Sequence, residues 1–142
     1  MTFRRGSNRQ PATEDLPDTG TLAGDLHALA RLVLTGLTDP AQGPLTRTFV
    51  LAAAHSDTAA RALHAFYARR HEQAAAITER AARRGEVPAG TDPAEVVRAT
   101  IAPLYHRAFI TGEPVDEAAA GRAAAAACAA ARAGAFTTPP AR

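Results

Sequence analysis

The chain has 142 residues, enough for one domain with its own hydrophobic core. Its 16 basic residues are all arginine, which excludes a Schiff-base lysine, a lysine general base and the lysine of a phosphate-cradling loop. The net charge of +2 is too small an excess to mark a nucleic-acid surface, and the single cysteine, Cys128, excludes an intramolecular disulfide and fits a reducing cytoplasm.

Residues 1–17 are polar and aperiodic and read as a disordered leader. They lack the apolar core of a signal peptide. Arg4, Arg5 and Arg9 are too few to hold nucleic acid by themselves. Thr21 can cap a first helix running to about Leu37, because Leu22, Leu26, Leu29, Val33 and Leu37 recur at spacings of four and three and so share one face. Asp25 falls in its first turn, where the helix dipole favours a carboxylate, and Thr38-Asp39-Pro40 ends it. Gly43-Pro44 opens a second helix over Leu45 to about Ala54, with Leu45, Phe49 and Ala52 or Ala53 on its apolar side.

Ser56-Asp57 caps a long third helix ending near Arg84, with Gly85 at its C-terminal cap. Ala60, Leu63, Tyr67, Ala74, Ile77 and Ala81 form its apolar stripe, with Phe66 alongside. Asp92, Pro93 and Glu95 make a capping-box-like start to a fourth helix that reaches Ile110 and stops at Gly112. Pro103 lies inside it and must remove one hydrogen bond and bend it. The last helix runs from about Asp116 to Ala133 and is almost pure alanine; Phe136 folds back after it, and residues 137–142 fray. Nothing alternates as a strand would, so the fold is all-α with about five helices. The longest run of small apolar residues, 123–131, is too short to span a bilayer.

No catalytic constellation emerges. The only serines are Ser7 and Ser56, and neither sits in a nucleophile elbow. The carboxylate pairs Glu14-Asp15 and Asp116-Glu117 lie in the leader and at a helix start, outside any apolar setting that would perturb them. The chain is therefore not read as an enzyme, and no cofactor is expected. His64 and His71 share a helix face but lack a third ligand, so no metal site is expected, and the histidines read as surface or pocket-lining. Phe49, Phe66, Tyr67, Tyr105 and Phe109 stand on helices two, three and four. Either they form the core, or they line one apolar pocket with Leu63 and Ile101, anchored by the tyrosine hydroxyls, Arg70 or His106.

Three stretches carry a family resemblance. Pro17-Asp18-Thr19-Gly20-Thr21-Leu22-Ala23-Gly24-Asp25-Leu26, then Arg83-Arg84-Gly85-Glu86-Val87 with Asp92-Pro93, then Ala102-Pro103-Leu104-Tyr105-His106-Arg107 with Thr111-Gly112-Glu113-Pro114-Val115-Asp116-Glu117, follow in order and spacing. The chain resembles, over roughly 18–133, the C-terminal ligand-binding and dimerisation domain of TetR/AcrR-type transcriptional regulators. The resemblance implies an antiparallel helical bundle over 18–136, a pocket for a small apolar ligand, a homodimer, repression of transcription, and no membrane association. The dimer it implies uses Leu104 and Ala108 on the fourth helix and Ala119, Ala123, Ala126, Ala127 and Ala130 on the last. Family members begin with a three-helix DNA-binding head. Only a short polar stretch precedes the domain here, so this chain alone is not expected to bind DNA. The alternative is a structural association module that binds no ligand and pairs with a full-length relative.

Overall fold

The computed structural model describes residues 16–139 and shows five α-helices in chain order. Among the described residues the only β pairing is a single antiparallel bridge, Thr91 with Thr137. The body of the 1–17 leader, with its three arginines, lies outside the described residues.

Four of the five helices start where a capping side chain demands. α1 (Leu22–Thr38) is capped by Thr21, whose hydroxyl accepts the Gly24 amide at 3.1 Å. α3 (Asp57–Arg83) is capped by Ser56 through the Ala59 amide, α4 (Pro93–His106) by Asp92 through Ala94, and α5 (Glu117–Arg132) by Asp116 through Ala119. Each cap satisfies an amide that the helix itself leaves unpaired. α2 (Gln42–Ala52) departs from expectation. The Asp39 carboxylate accepts the Ala41 and Gln42 amides at 2.8 and 2.9 Å, so the helix begins ahead of Pro44, which falls within its first turn.

α2 also packs differently. Its one buried residue is Gly43; a Cβ there would lie 2.7 Å from the Leu37 carbonyl oxygen, so only glycine allows this close crossing of α1. Leu45, expected on the inner side, is 71% exposed.

The core is built by α1, α4, α5 and the second half of α3. Leu22, Leu26, Ala30, Leu34 and Leu37 of α1 meet Ile77 and Ala81 of α3 and Val96 and Leu104 of α4. α5 contributes its alanines and Cys128. Each alanine buries little apolar area, but small side chains let helices approach closely. On the α1 side this closeness is visible at Gly121, whose Cβ position lies 3.8 Å from the His27 ring. Burial raises the Cys128 thiol above its ordinary range, as befits a small core residue. In α3 the fully buried positions begin only at Ala74, so its first half stands on the edge of the bundle beside α2.

The N-terminal end of α1 is held by charge. Asp25 is fully buried, accepts the Thr19 amide and hydroxyl at 2.6 and 2.8 Å, and lies 3.7 Å from Arg80 and 4.0 Å from Arg84. Glu86 caps the same end by accepting the Leu22 amide. Burial works against the Glu86 charge, but the Leu22 amide, Arg84 and Arg132 outweigh it and hold the carboxyl below its usual range.

Three boundaries move. Leu16 and Pro17, assigned to the leader, belong to the folded body: Arg80 donates to the Pro17 carbonyl at 2.5 Å. At the far end, Phe136 does fold back against the core, and its carbonyl accepts the Asp92 amide at 2.8 Å. Thr137 and Thr138 pair with the 90–91 turn instead of fraying. Within α4, Pro103 takes away the hydrogen bond to the Ala99 carbonyl, yet the helix continues to His106 and then widens into a π-type turn, Arg107–Thr111, closed by Gly112 at φ +68°.

Candidate ligand-binding cavity

A cavity of about 350 Å³ opens between α1, α2, α3 and α4. Periodicity explains which residues reach it. On α1 the core takes Leu26, Ala30 and Leu34, and the next flank, Leu29, Leu32, Val33 and Gly36, turns to the cavity. On α3 the face Tyr67, Arg70, His71 and Ala74 follows the three-four spacing of one helix side, and on α4 Val97, Ile101 and Tyr105 recur every fourth residue. Gln42 and Thr46 close one wall from α2, and Leu16 closes another from the segment ahead of α1.

Of the residues expected here, Phe66, Tyr67, Arg70, Ile101 and Tyr105 line the cavity. Phe49, Leu63 and Phe109 do not, and of these Phe49 and Phe109 back rings that do. Phe49 meets Phe66 edge-on at 6.0 Å, and Phe109 stacks on Tyr105 at 6.0 Å beneath the Arg47 guanidinium. The aromatics therefore make a continuous ladder across α2, α3 and α4, through Phe66–Tyr67 at 5.3 Å and Tyr67–Tyr105 at 5.7 Å. Leu63 is half-buried further up α3. His106, considered as a polar anchor, is exposed on the far side and takes no part in the lining.

Of the histidines, His71 lies in the lining. This ring lies one helical turn from Tyr67, with centroids 6.4 Å apart. Its Nε2 is shielded from solvent and has no hydrogen-bond partner. Burial, and then the positive charge of Arg98, hold its pKa below the ordinary 6.5, so the ring is neutral at pH 7. The Tyr67 and Tyr105 hydroxyls share a 2.8 Å hydrogen bond. Burial first and that bond second push Tyr105 far above the normal tyrosine range, so it too stays neutral. Arg70 lies 5.6 Å above the Phe66 ring at the rim. The lining contains no carboxylate.

The sequence pointed to five lining residues and missed Leu29, Val33, Ala74 and Val97. Their signal was present: each lies three or four residues from a lining position on the same helix. Leu16 had one weak mark, an isolated leucine closing a polar stretch.

The residues expected at a subunit contact separate into two groups. Leu104, Ala119, Ala123 and Ala127 are buried inside the chain's own core and are not available to a partner. Ala108 and Ala130 are half-buried, and Ala126 is exposed. The face that α5 turns outward carries Ala118, Arg122, Ala125, Ala126 and Ala129, and the adjacent α4 exposes Ala102, Pro103 and His106.

Among the described residues no three histidine, cysteine, aspartate or glutamate side chains gather as a metal site, and no helix is long and apolar enough to cross a membrane. The architecture is thus an all-α bundle with a cavity of small-molecule size between its helices. The family model for the tetracyclin repressor-like C-terminal domain matches residues 16–127, and the chain belongs to this family. The match begins at Leu16, the first of the described residues. No match was found among curated proteins.

Proposed function

We infer that the chain is the ligand-sensing and dimerisation domain of a TetR-type transcriptional regulator, acting in the cytoplasm as a homodimer. The observation that carries this reading is the cavity itself: apolar walls, aromatic on one side, with a few converging polar groups, at the lower end of the size range of small-molecule sites. Family membership supports the same reading.

Sensing would be a shift of populations toward the arrangement that the ligand prefers. The readout would run through the segment ahead of α1. Leu16 lines the cavity, and the residues after it are tied to α3 by Arg80, which meets the Pro17 carbonyl and lies 3.5 Å from the Asp18 carboxylate. A ligand that displaces Leu16 moves this segment, which in the family's architecture leads from the DNA-binding head.

Thermal-shift screening against a library of small apolar compounds tests the sensor. A ligand held at 100 times its Kd stabilises the native state by about 2.7 kcal/mol, an easily read rise in Tm. Gly36→Leu places a side chain into the cavity wall and abolishes the response if the cavity is the site. A broad screen without a hit, from a protein that is dimeric on sizing, would favour the association module instead. The small-residue face of α4 and α5 is the proposed contact. Ala126→Glu with Ala129→Glu, both exposed in the single chain, gives a folded monomer on sizing; a persistent dimer places the contact elsewhere.

A further inference from the structure

The cavity's lining is sorted from floor to mouth. The floor is aliphatic: Ala74, Val97 and Ile101 are buried there, with Leu29 and Val33 packed against them. α3 carries the gradient. Its inner flank, Tyr67, His71 and Ala74, runs from half-buried to buried, whereas its outer flank, Phe66, Arg70 and Gln73, is exposed or half-buried and edges the mouth. α2 adds Gln42, exposed, and Thr46, half-buried, one helical turn apart. An occupant that follows this sorting is apolar at one end and polar at the other.

The polar groups decide what its polar end is. His71 Nε2 is covered by protein and lies out of a ligand's reach. The Tyr67 and Tyr105 hydroxyls bond each other, and Thr46 donates its hydroxyl hydrogen to the Gly36 carbonyl at 3.2 Å. The Gln42 and Gln73 carboxamides differ: neither has a hydrogen-bond partner among the described residues. Each can donate and accept, so together they suit a head that does both. An ion gains less. No carboxylate lines the cavity to meet a cation, and Arg70, already engaged over the Phe66 ring, is no spare charge for an anion.

The geometry points to an uncharged alkyl amphiphile: a tail on Ala74, Val97 and Ile101, and a head that both donates and accepts, an alcohol or a primary amide, held at the mouth by Gln42 and Gln73. This rests on the sensor reading above and specifies it.

Titration calorimetry at pH 7.5 tests it with 1-octanol, its isomer heptyl methyl ether, octanoate and octylamine. Octanol binds about fivefold tighter than each of the others, the worth of about one hydrogen bond. From 1-butanol through 1-hexanol to 1-octanol the affinity rises about fourfold per added CH₂, because each lengthens the buried tail. Gln42→Met combined with Gln73→Met keeps the bulk and removes the hydrogen bonds, so octanol falls to the affinity of the ether and the ether is unchanged. Circular dichroism melts confirm that the variant folds. The inference is overturned if the ether matches octanol, if octanoate or octylamine binds tighter, if affinity is flat along the alcohols, or if the preference survives in the double variant. It is overturned too if none of the probes binds, and in that case a hit from the compound library that Gly36→Leu abolishes would still leave the sensor reading standing.

Discussion

The Tyr67 and Tyr105 hydroxyls, from α3 and α4, meet at 2.8 Å inside the cavity wall. This bond joins the two helices that frame the cavity where their backbones carry no hydrogen bond to each other. Removing one hydroxyl leaves the other half-buried without its partner. Tyr67→Phe and Tyr105→Phe each cost about 1 kcal/mol in urea denaturation, and the double variant costs little more than either alone, because it leaves no orphan. Additive costs would show that the two hydroxyls act independently.

His71 makes stability depend on pH. Its folded-state pKa lies below the ordinary 6.5 because burial and Arg98 disfavour the charged ring. The unfolded chain therefore takes up the proton first. The contribution is fully present above about pH 6.5 and is lost as pH falls through the folded-state value. Unfolding free energies measured at pH 7.5, 6.5 and 5.5 fall over that interval, and they fall less in His71→Leu. Glu86 acts lower: its carboxyl is held below the usual range, so its contribution disappears only as pH drops below about 4.5.

Asp25 is the buried charge that fixes the start of α1 to the end of α3. Asp25→Asn removes the charge facing Arg80 and Arg84, and costs about 2–3 kcal/mol, less than a fully enclosed pair would because both guanidiniums reach solvent. Urea denaturation of the variant measures the loss. The Arg80 contact with Pro17 loosens with it, so protease cleavage around residues 16–19 accelerates.

Gly36 is a helix-interior glycine with open space where its Cβ would stand. Gly36→Ala raises stability by about 0.5–1 kcal/mol, since alanine loses less backbone freedom in a helix and meets no neighbour here. Thermal and urea unfolding measure the gain. Gly43→Ala at the next glycine has the opposite sign, because its Cβ collides with the Leu37 carbonyl.

Local unfolding is predicted to start at the cavity's edge. α2 buries only Gly43, and α3 buries no residue fully before Ala74, whereas α1 and α5 are packed along their lengths. Hydrogen exchange is fastest in residues 42–73 and slowest in α1 and α5. α2 is tied down by Arg47, which donates to the Ala108 carbonyl at 3.1 Å, so Arg47→Ala speeds exchange in α2 selectively.

The sequence by itself determined the helices and most of their ends. Thr21, Ser56, Asp92 and Asp116 cap because a short polar side chain beside a helix start reaches its own neighbouring amides, a purely local interaction. It determined the face of α1 only in part: Leu22, Leu26 and Leu37 enter the core as expected, but Leu29 and Val33 of the same stripe turn to the cavity and Ala30 and Leu34 take the core positions. α5 shows where local information stops. With alanine at nearly every position its period is flat, and which alanines turn inward depends on where α1 and α4 lie. Burial of Leu104, Ala119, Ala123 and Ala127 inside the chain is such an outcome. The start of α2 was set by Asp39, whose carboxylate accepts the Ala41 and Gln42 amides, and its close approach to α1 by Gly43 against Leu37. The cavity was decided last of all. Leu16, Tyr67 and Tyr105 lie far apart along the chain, and an unsatisfied nitrogen or a shared hydrogen bond exists only once packing has brought its surroundings together. Short-range propensity chooses helices, but long-range packing chooses which flank of each helix is spent on the core and which is left facing a hole.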